Sequence, residues 1–268
     1  MSEYDKVRDY WDERASAAGG GRTATTNDIW LRELEIATIS ATIGEVARGA
    51  RSLLDAGCGD GHATLALAEA LPHASVDGVD YSTAMIQTAR QKLTTRPALA
   101  PRIRFLNGDV TDLASACNAR TYDVILTDRC LINLPNFERQ RQALAEIAAH
   151  LSPAGHYLCI ENFVEGQDNM NDARRRVGLA AIPIRWHNVF FREREFREAV
   201  EPHFTLIGFR EFSSSYYLAT RVIYSKLCQM RGEQPDYGHE IHRLAVDLPW
   251  SGQFSPVRLA VLRSKRDG

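Results

Sequence analysis

The run Leu53-Leu54-Asp55-Ala56-Gly57-Cys58-Gly59-Asp60-Gly61 decides the fold. It is a short apolar segment that breaks into three alternating glycines and then into a helical pattern from Ala63 to Leu71. Such a succession reads as a first strand, a tight turn and a helix start. Glycine has no Cβ and reaches positive φ, so the turn lets backbone come close to a ligand at the helix N-terminus. A dinucleotide fingerprint G-x-G-x-x-G would need glycine at position 62, where the chain has His62. No G-x-x-x-x-G-K-[ST] occurs either, which removes a P-loop.

Working outward, strands and helices alternate from Arg51 onward, the signature of an open parallel α/β sheet. Strands are expected at about 51 to 56, Ser75 to Asp80, Arg102 to Leu106, Tyr122 to Thr127 and His156 to Ile160. Two more are expected at Phe204 to Phe212 and Val257 to Arg263. Pro72 ends the first core helix, Ser82 caps the second, and Asn136 caps a helix with the stripe Phe137, Leu144, Ile147, Ala148 and Leu151. Ser152-Pro153-Ala154-Gly155 stops that helix.

Ahead of the core, Tyr4, Val7, Tyr10, Trp11 and Arg14 fall at helical spacing, followed by Gly19-Gly20-Gly21. Asn27 or Asp28 caps a second helix to about Val46. This gives an organisation of 1–50 as a helical lid, 51–163 as the core and 164–191 as a substrate-side insertion. Residues 192–268 end the sheet and carry a helical insertion at 214–252. In an open α/β sheet ligands bind beyond the carboxyl ends of the strands, where these insertions are expected to form the pocket.

Composition sets the outer limits. In 268 residues, 44% apolar and 25% charged content is ordinary for a globular enzyme, and a net charge of −2 leaves no footprint for nucleic acid or an anionic membrane. Five cysteines without a C-x-x-C pair argue against a disulfide framework or a zinc site, and for a reducing, cytoplasmic setting. Residues 1–14 are charged from the start and no long apolar run follows, so neither a signal peptide nor a membrane span is expected. His239 and His242 flank Glu240 one residue short of a zincin motif and are read as surface or rim residues, leaving no metal expected.

The glycine pattern, D-x-G-x-G-x-G from Asp55 to Gly61, resembles the motif of class I S-adenosylmethionine (SAM) dependent methyltransferases. The run from about Arg51 to Phe163 looks like that core throughout. The flanks Tyr10 to Arg14, Arg129 to Leu134, Asn171 with Arg174, Gly178-Leu179 and Trp186 to Asn188 are similar to small-molecule methyltransferases of bacterial polysaccharide and natural-product pathways. The resemblance implies a Rossmann-like fold with a seven-stranded, mostly parallel sheet whose last strand is antiparallel. It also implies that Trp11 or Arg14 closes on the methionine end of SAM.

On the residues themselves, Gly57, Cys58 and Gly59 suit the amino-acid end of SAM. Asp80, at the end of strand two, suits the ribose diol, which wants a carboxylate accepting two hydrogen bonds. Asp109 with the Val110 backbone is placed at the adenine edge, and Tyr81 and Met85 at its faces. Asp55 and Thr127, on the same edge of the sheet, complete the cofactor candidates.

Methyl transfer is an in-line displacement, so positioning supplies much of the rate; a hydroxyl or carbon acceptor also needs a base. Asp128, Glu161 and His187 are the candidates at that end of the sheet, with Glu161 and His187 preferred. The expected acceptor is an oxygen or nitrogen of a small molecule. A cluster of arginines, Arg174 to Arg176, Arg185, Arg192, Arg194 and Arg197, leaves an anionic one as a variant. Carbon methylation of an anionic or prenyl-type substrate with Glu161 as base, and a non-catalytic SAM-binding protein, are the competing readings. No nucleic-acid or membrane partner is expected, and the chain is expected as a monomer or homodimer. Thr127-Asp128-Arg129-Cys130 is not the Asn/Asp-Pro-Pro-aromatic motif of base amino-methyltransferases.

Overall fold

A computed structural model describes residues 2–18, 21 and 23–266. Gly19 and Gly20, two of the three glycines expected to break the chain, lie outside the described residues. Two helices lead, α1 (Glu3–Ala18) and α2 (Ile29–Val46). The core then runs β1 (Ser52–Ala56), α3 (His62–Ala70), β2 (Ser75–Asp80), α4 (Thr83–Thr94), β3 (Ile103–Asn107), α5 (Leu113–Cys117), β4 (Tyr122–Asp128), α6 (Phe137–Ala149) and β5 (Leu151–Asn162). After β5 come α7 (Val164–Arg176), α8 (Glu193–Val200) and β6 (Phe204–Arg210). A helical run follows, made of α9 (Ser214–Tyr217), a π-helical stretch Leu218–Tyr224 and α10 (Ser225–Arg231), before α11 (Glu240–Val246) and β7 (Val257–Ser264).

The strands form one sheet in the order β3-β2-β1-β4-β5-β7-β6. Only β7 runs antiparallel to its neighbours β5 and β6, as expected for the last strand. Central strands read as unbroken apolar runs because both faces are covered. Leu53, Val124, Leu126, Leu158 and Ile160 face a layer that includes α2, α3 and α4, whereas Leu54, Ile125 and Cys159 face α5, α6 and α8. Strand order reverses between β1 and β4, and the crevice at such a switch point is where ligands sit in open α/β sheets.

Local chemistry sets most boundaries. Asp28 rather than Asn27 caps α2, its Oδ1 accepting from the Leu31 N–H at 3.1 Å. Ser82 caps α4 through the Met85 N–H, and Asn136 caps α6 through the Arg139 N–H, both as expected. Three boundaries depart from expectation. Strand β5 begins at Leu151, and the register jumps from Tyr122↔Leu151 to Val124↔His156, so Ser152 to Gly155 are an excursion within the strand, with Ala154 at φ 58°. Strand β6 stops at Arg210, two residues short. The insertion after β5 opens with a full helix, α7, before the irregular stretch 177–191 returns to pair Phe191 with Phe163.

Candidate functional site

The glycine turn is tied to strand β2 by backbone alone and then by one carboxylate. Gly57 and Cys58 donate to the Val79 carbonyl at 2.7 and 3.0 Å, and Gly59 donates to Asp80 Oδ2 at 2.9 Å. Asp80 Oδ1 accepts from Ser82 N–H at 2.9 Å, so this side chain fixes the turn and the start of α4 together. Gly57 sits at φ 81°, and a Cβ there would fall 2.3 Å from Cys130 Sγ. Nothing but glycine fits between the turn and the chain leaving β4.

Beyond this turn lies a cavity of about 300 Å³, within the small-molecule range. One side of it is walled by Asp55, Gly57, Cys58, Gly59, Asp80, Tyr81, Met85 and Val110, which the sequence offered as cofactor candidates. Asp55 accepts from Thr64 Oγ1 at 2.6 Å, and burial pushes its carboxyl up to about 7. Burial likewise pushes Asp80 up to about 6, against the pull of its two N–H donors. The Tyr81 ring stacks on Tyr4 at 5.4 Å, and its hydroxyl is buried without a hydrogen-bond partner, a polar position for a ligand to complete.

Helix α1 lies across this opening. Tyr4 donates to Asp109 Oδ2 at 2.8 Å, Asp12 accepts from Ser82 Oγ, and Trp11 Nε1 donates to Asn133 Oδ1 at 3.3 Å. Trp11 lines the cavity as expected. Arg14 does not: its guanidinium is spent on the Ala24 and Thr23 carbonyls at 2.9 and 2.6 Å and on Asn27 Oδ1, fastening α1 to the linker.

Three further expectations are corrected. Asp109 is no cavity wall, because Tyr4 occupies one oxygen while Thr111 N–H and Oγ1 occupy the other at 2.8 and 2.7 Å. Thr127 is fully buried, bonded to the Tyr157 hydroxyl at 2.8 Å, and does not line the cavity. Glu161, expected to point into the pocket, is also fully buried. Its carboxylate accepts the backbone N–H groups of Cys130, Leu131 and Ile132 at 3.1, 2.9 and 3.2 Å. Burial drives it up to about 8 while those N–H groups favour the charged form. A carboxylate so engaged holds the turn after β4 and has no access to a substrate.

His187 does line the cavity. Its ring stacks on Tyr10 at 4.6 Å and meets the edges of Trp11 and Trp186, and burial lowers it to about 4, so it is neutral at physiological pH. Its Nδ1 is buried without a hydrogen-bond partner.

The acceptor side holds residues that sequence reasoning passed over or ranked lower. Asp128 and Arg129 leave the end of β4 into the cavity, with Arg129 at φ 53°. Arg129 Nη2 donates to Glu35 Oε2 at 3.0 Å, and Asp128 Oδ1 lies 3.7 Å from its Nε. Arg221, in the π-helical stretch, pairs with Asp28 and lies over the rings of Tyr216, Tyr217 and Tyr237 at 5.9, 5.3 and 4.7 Å. Met170, Ile182, Pro183 and Phe190 supply apolar wall. The periodicity of 217–230 marks an apolar stripe in which Arg221 does not stand out, and the positive φ at Arg129 leaves no trace in sequence.

Three of the seven arginines singled out in the sequence pair locally, Arg175 with Asp172, Arg194 with Glu198 and Arg197 with Glu193, and Arg174 donates to the carbonyls of Ala180 and Arg221; of the seven, Arg185 lines the cavity. His239 caps α11 through the Ile241 N–H at 3.2 Å, and His242 is buried against Tyr216 and Tyr224 rather than at the surface. Among the described residues no helix is long and apolar enough to cross a membrane.

Residues 53–155 match the family model described as a methyltransferase domain. A malonyl-[acyl-carrier protein] O-methyltransferase from Halalkalibacterium halodurans is 28% identical over 134 residues, 48% of this chain and 47% of that protein. A trans-aconitate 2-methyltransferase from Deinococcus radiodurans is 35% identical over 104 residues, 38% of this chain and 34% of that protein. The chain thus spans about half or less of the length of these curated relatives. Among solved structures, magnesium protoporphyrin IX methyltransferase from Synechocystis with bound S-adenosylhomocysteine (SAH) superposes with a TM-score of 0.64 at 16% identity, over 97% of this chain and 99% of that one. Likeness at that identity speaks to fold. The glycine turn and the strand order agree with that match: residues 53–155 are similar to the methyltransferase-domain family, on a sheet of the same fold as the solved methyltransferase.

Proposed function

We infer that this protein is an enzyme that moves a methyl group from SAM to an oxygen or nitrogen of a small-molecule acceptor. The observation that carries the reading is the Asp80-fastened glycine turn opening, together with the partnerless Tyr81 hydroxyl, into a cavity that continues past β4 to a separate, mixed-polarity wall. Bound SAM supplies an electrophilic methyl sulfonium. The turn residues Gly57 to Gly59 hold the amino-acid end, Asp55 faces its ammonium, and Asp80 takes the ribose hydroxyls. Tyr81, Met85 and Val110 enclose the adenine. Helix α1 acts as a lid, with Trp11 its contact to the site, and excludes water while the acceptor is aligned.

Of the base candidates, His187 and Asp128 reach the cavity and Glu161 does not. A neutral His187 with an open Nδ1 is the group able to take a proton from a hydroxyl acceptor. Carbon methylation through Glu161 loses its base with this geometry. The reading includes a cytoplasmic setting, which the five unpaired cysteines support.

The test is SAH binding by calorimetry followed by transfer of labelled methyl from SAM into an extract of small metabolites. Tight SAH binding with no SAH produced from SAM under any extract would move the protein to the non-catalytic, SAM-binding reading.

A further inference from the structure

We propose that the inner end of the acceptor chamber, where Arg129, Tyr217 and Arg221 converge, is a carboxylate-binding subsite, so the acceptor is a carboxylic acid with an apolar body. The inference rests on the reading above and adds the substrate class.

Two guanidinium groups reach this wall from elements distant in sequence, Arg129 just past the end of β4 and Arg221 from the π-helical stretch. The Arg221 guanidinium lies 5.3 Å from the centre of the Tyr217 ring, which lines the same wall as Arg129. Both arginines are held in unusual backbone. Arg129 stands in the left-handed region at φ 53°, a conformation that costs a non-glycine residue on the order of 1 kcal/mol or more and clusters at ligand clamps. The π-helical turn around Arg221 is likewise a form found mostly at functional sites.

Arg129 is anchored without being satisfied. One nitrogen donates to Glu35, its Nε has no hydrogen-bond partner, and Asp128 at 3.7 Å is beyond hydrogen-bond length. A quarter of the side chain remains exposed, and it lines the cavity. Burial raises both Glu35 and Asp128 against the pull of the Arg129 charge. Arg221 is held by Asp28, Thr220 Oγ1 and His242 Nε2 and adds positive charge beside the site; the planar guanidinium of Arg129, with donors to spare, matches the two oxygens of a carboxylate. Met170, Ile182, Pro183 and Phe190 would flank the rest of the molecule, so the acid carries an alkyl or aryl body rather than a second strongly hydrated group at that position.

The experiment titrates SAH-loaded protein with phenylacetate, hexanoate and cinnamate, each against its amide, by calorimetry. At least one acid is expected to bind about tenfold more tightly than its amide. Arg129→Met and Arg221→Met are each expected to abolish that preference, with SAH affinity read in parallel on the same preparations. Because the methionine variant leaves Glu35 buried without its partner and risks the fold, Arg129→Lys is measured beside it: charge is kept, the planar fork is lost, and the preference for acid over amide should fall. Equal binding of acids and amides, no binding of any of the three acids, or an undiminished preference in the folded variants overturns the proposal. If SAH itself does not bind wild-type protein, the methyltransferase reading fails first; if SAH binds and the acids show no preference, only the carboxylate subsite falls.

Discussion

The two halves of the cavity are built by different means. The half around the glycine turn is backbone-built: a glycine turn, two N–H groups on one carbonyl, and strand-end acids within residues 55–110. The half beyond β4 is side-chain-built, from α2, the turn after β4, the 177–191 stretch and the π-helical insertion, with arginines and acids facing one another across long sequence separations. Backbone construction makes the first half intolerant of change and generic in what it binds. Side-chain construction makes the second half replaceable, which is what a fold with many acceptors requires.

That contrast can be broken most severely at Gly57. Gly57→Ala adds a Cβ 2.3 Å from Cys130 Sγ at φ 81° and is expected to destabilise the protein by about 2–4 kcal/mol and to abolish SAH binding, measured by thermal melting and calorimetry. Retained SAH affinity would show that the turn is less rigid than its contacts require. Asp80→Ala removes the acceptor of Gly59 and Ser82 N–H, and SAH affinity should fall about a hundredfold with a smaller change in melting temperature.

Glu161→Gln distinguishes the positioning role from a catalytic one. Replacing a carboxylate that takes three N–H groups should lower stability by about 1–3 kcal/mol. The reaction should retain its pH profile; a base would lose turnover at unchanged stability.

A pH series sharpens the comparison further. Asp80, Asp55 and Glu161 stand at about 6, 7 and 8 in the folded protein, all above their ordinary values. Each is protonated in the folded state before the unfolded one, so its contribution to stability is lost as pH rises through its folded value. Ligand-free protein should therefore melt lower at pH 8.5 than at 5.5. SAH, which offers donors to ionised Asp55 and Asp80, should bind about tenfold more tightly at the higher pH, with protons released on binding between pH 6 and 7. Parallel trends would refute this assignment. The smallest effect is expected for Tyr4→Phe, which loses the bond to Asp109 and should cost about 1 kcal/mol or less while raising the apparent KM for SAM through a looser lid.

The legibility of the sequence follows the same division. Alternating glycines between an apolar run and a helix have few structural solutions, so the positions of the core strands, the caps at Ser82 and Asn136, and the placing of Asp55 and Asp80 beside the turn could be read directly. Asp109 and Glu161 misled because position at a strand end says where a residue begins, not where its oxygens point: Tyr4 and Thr111 claimed one, the 130–132 turn the other. Arg129 and Arg221 were hidden for the opposite reason. One depends on a backbone angle, the other on a helix that widens to π geometry, and neither is encoded in a local pattern.

The most direct test of the account is a calorimetric titration of the purified protein with SAH and, separately, with a nicotinamide dinucleotide. The account predicts SAH binding that is lost in Asp80→Ala and no comparable binding of the dinucleotide. Preference for the dinucleotide, or SAH binding indifferent to Asp80, would contradict it.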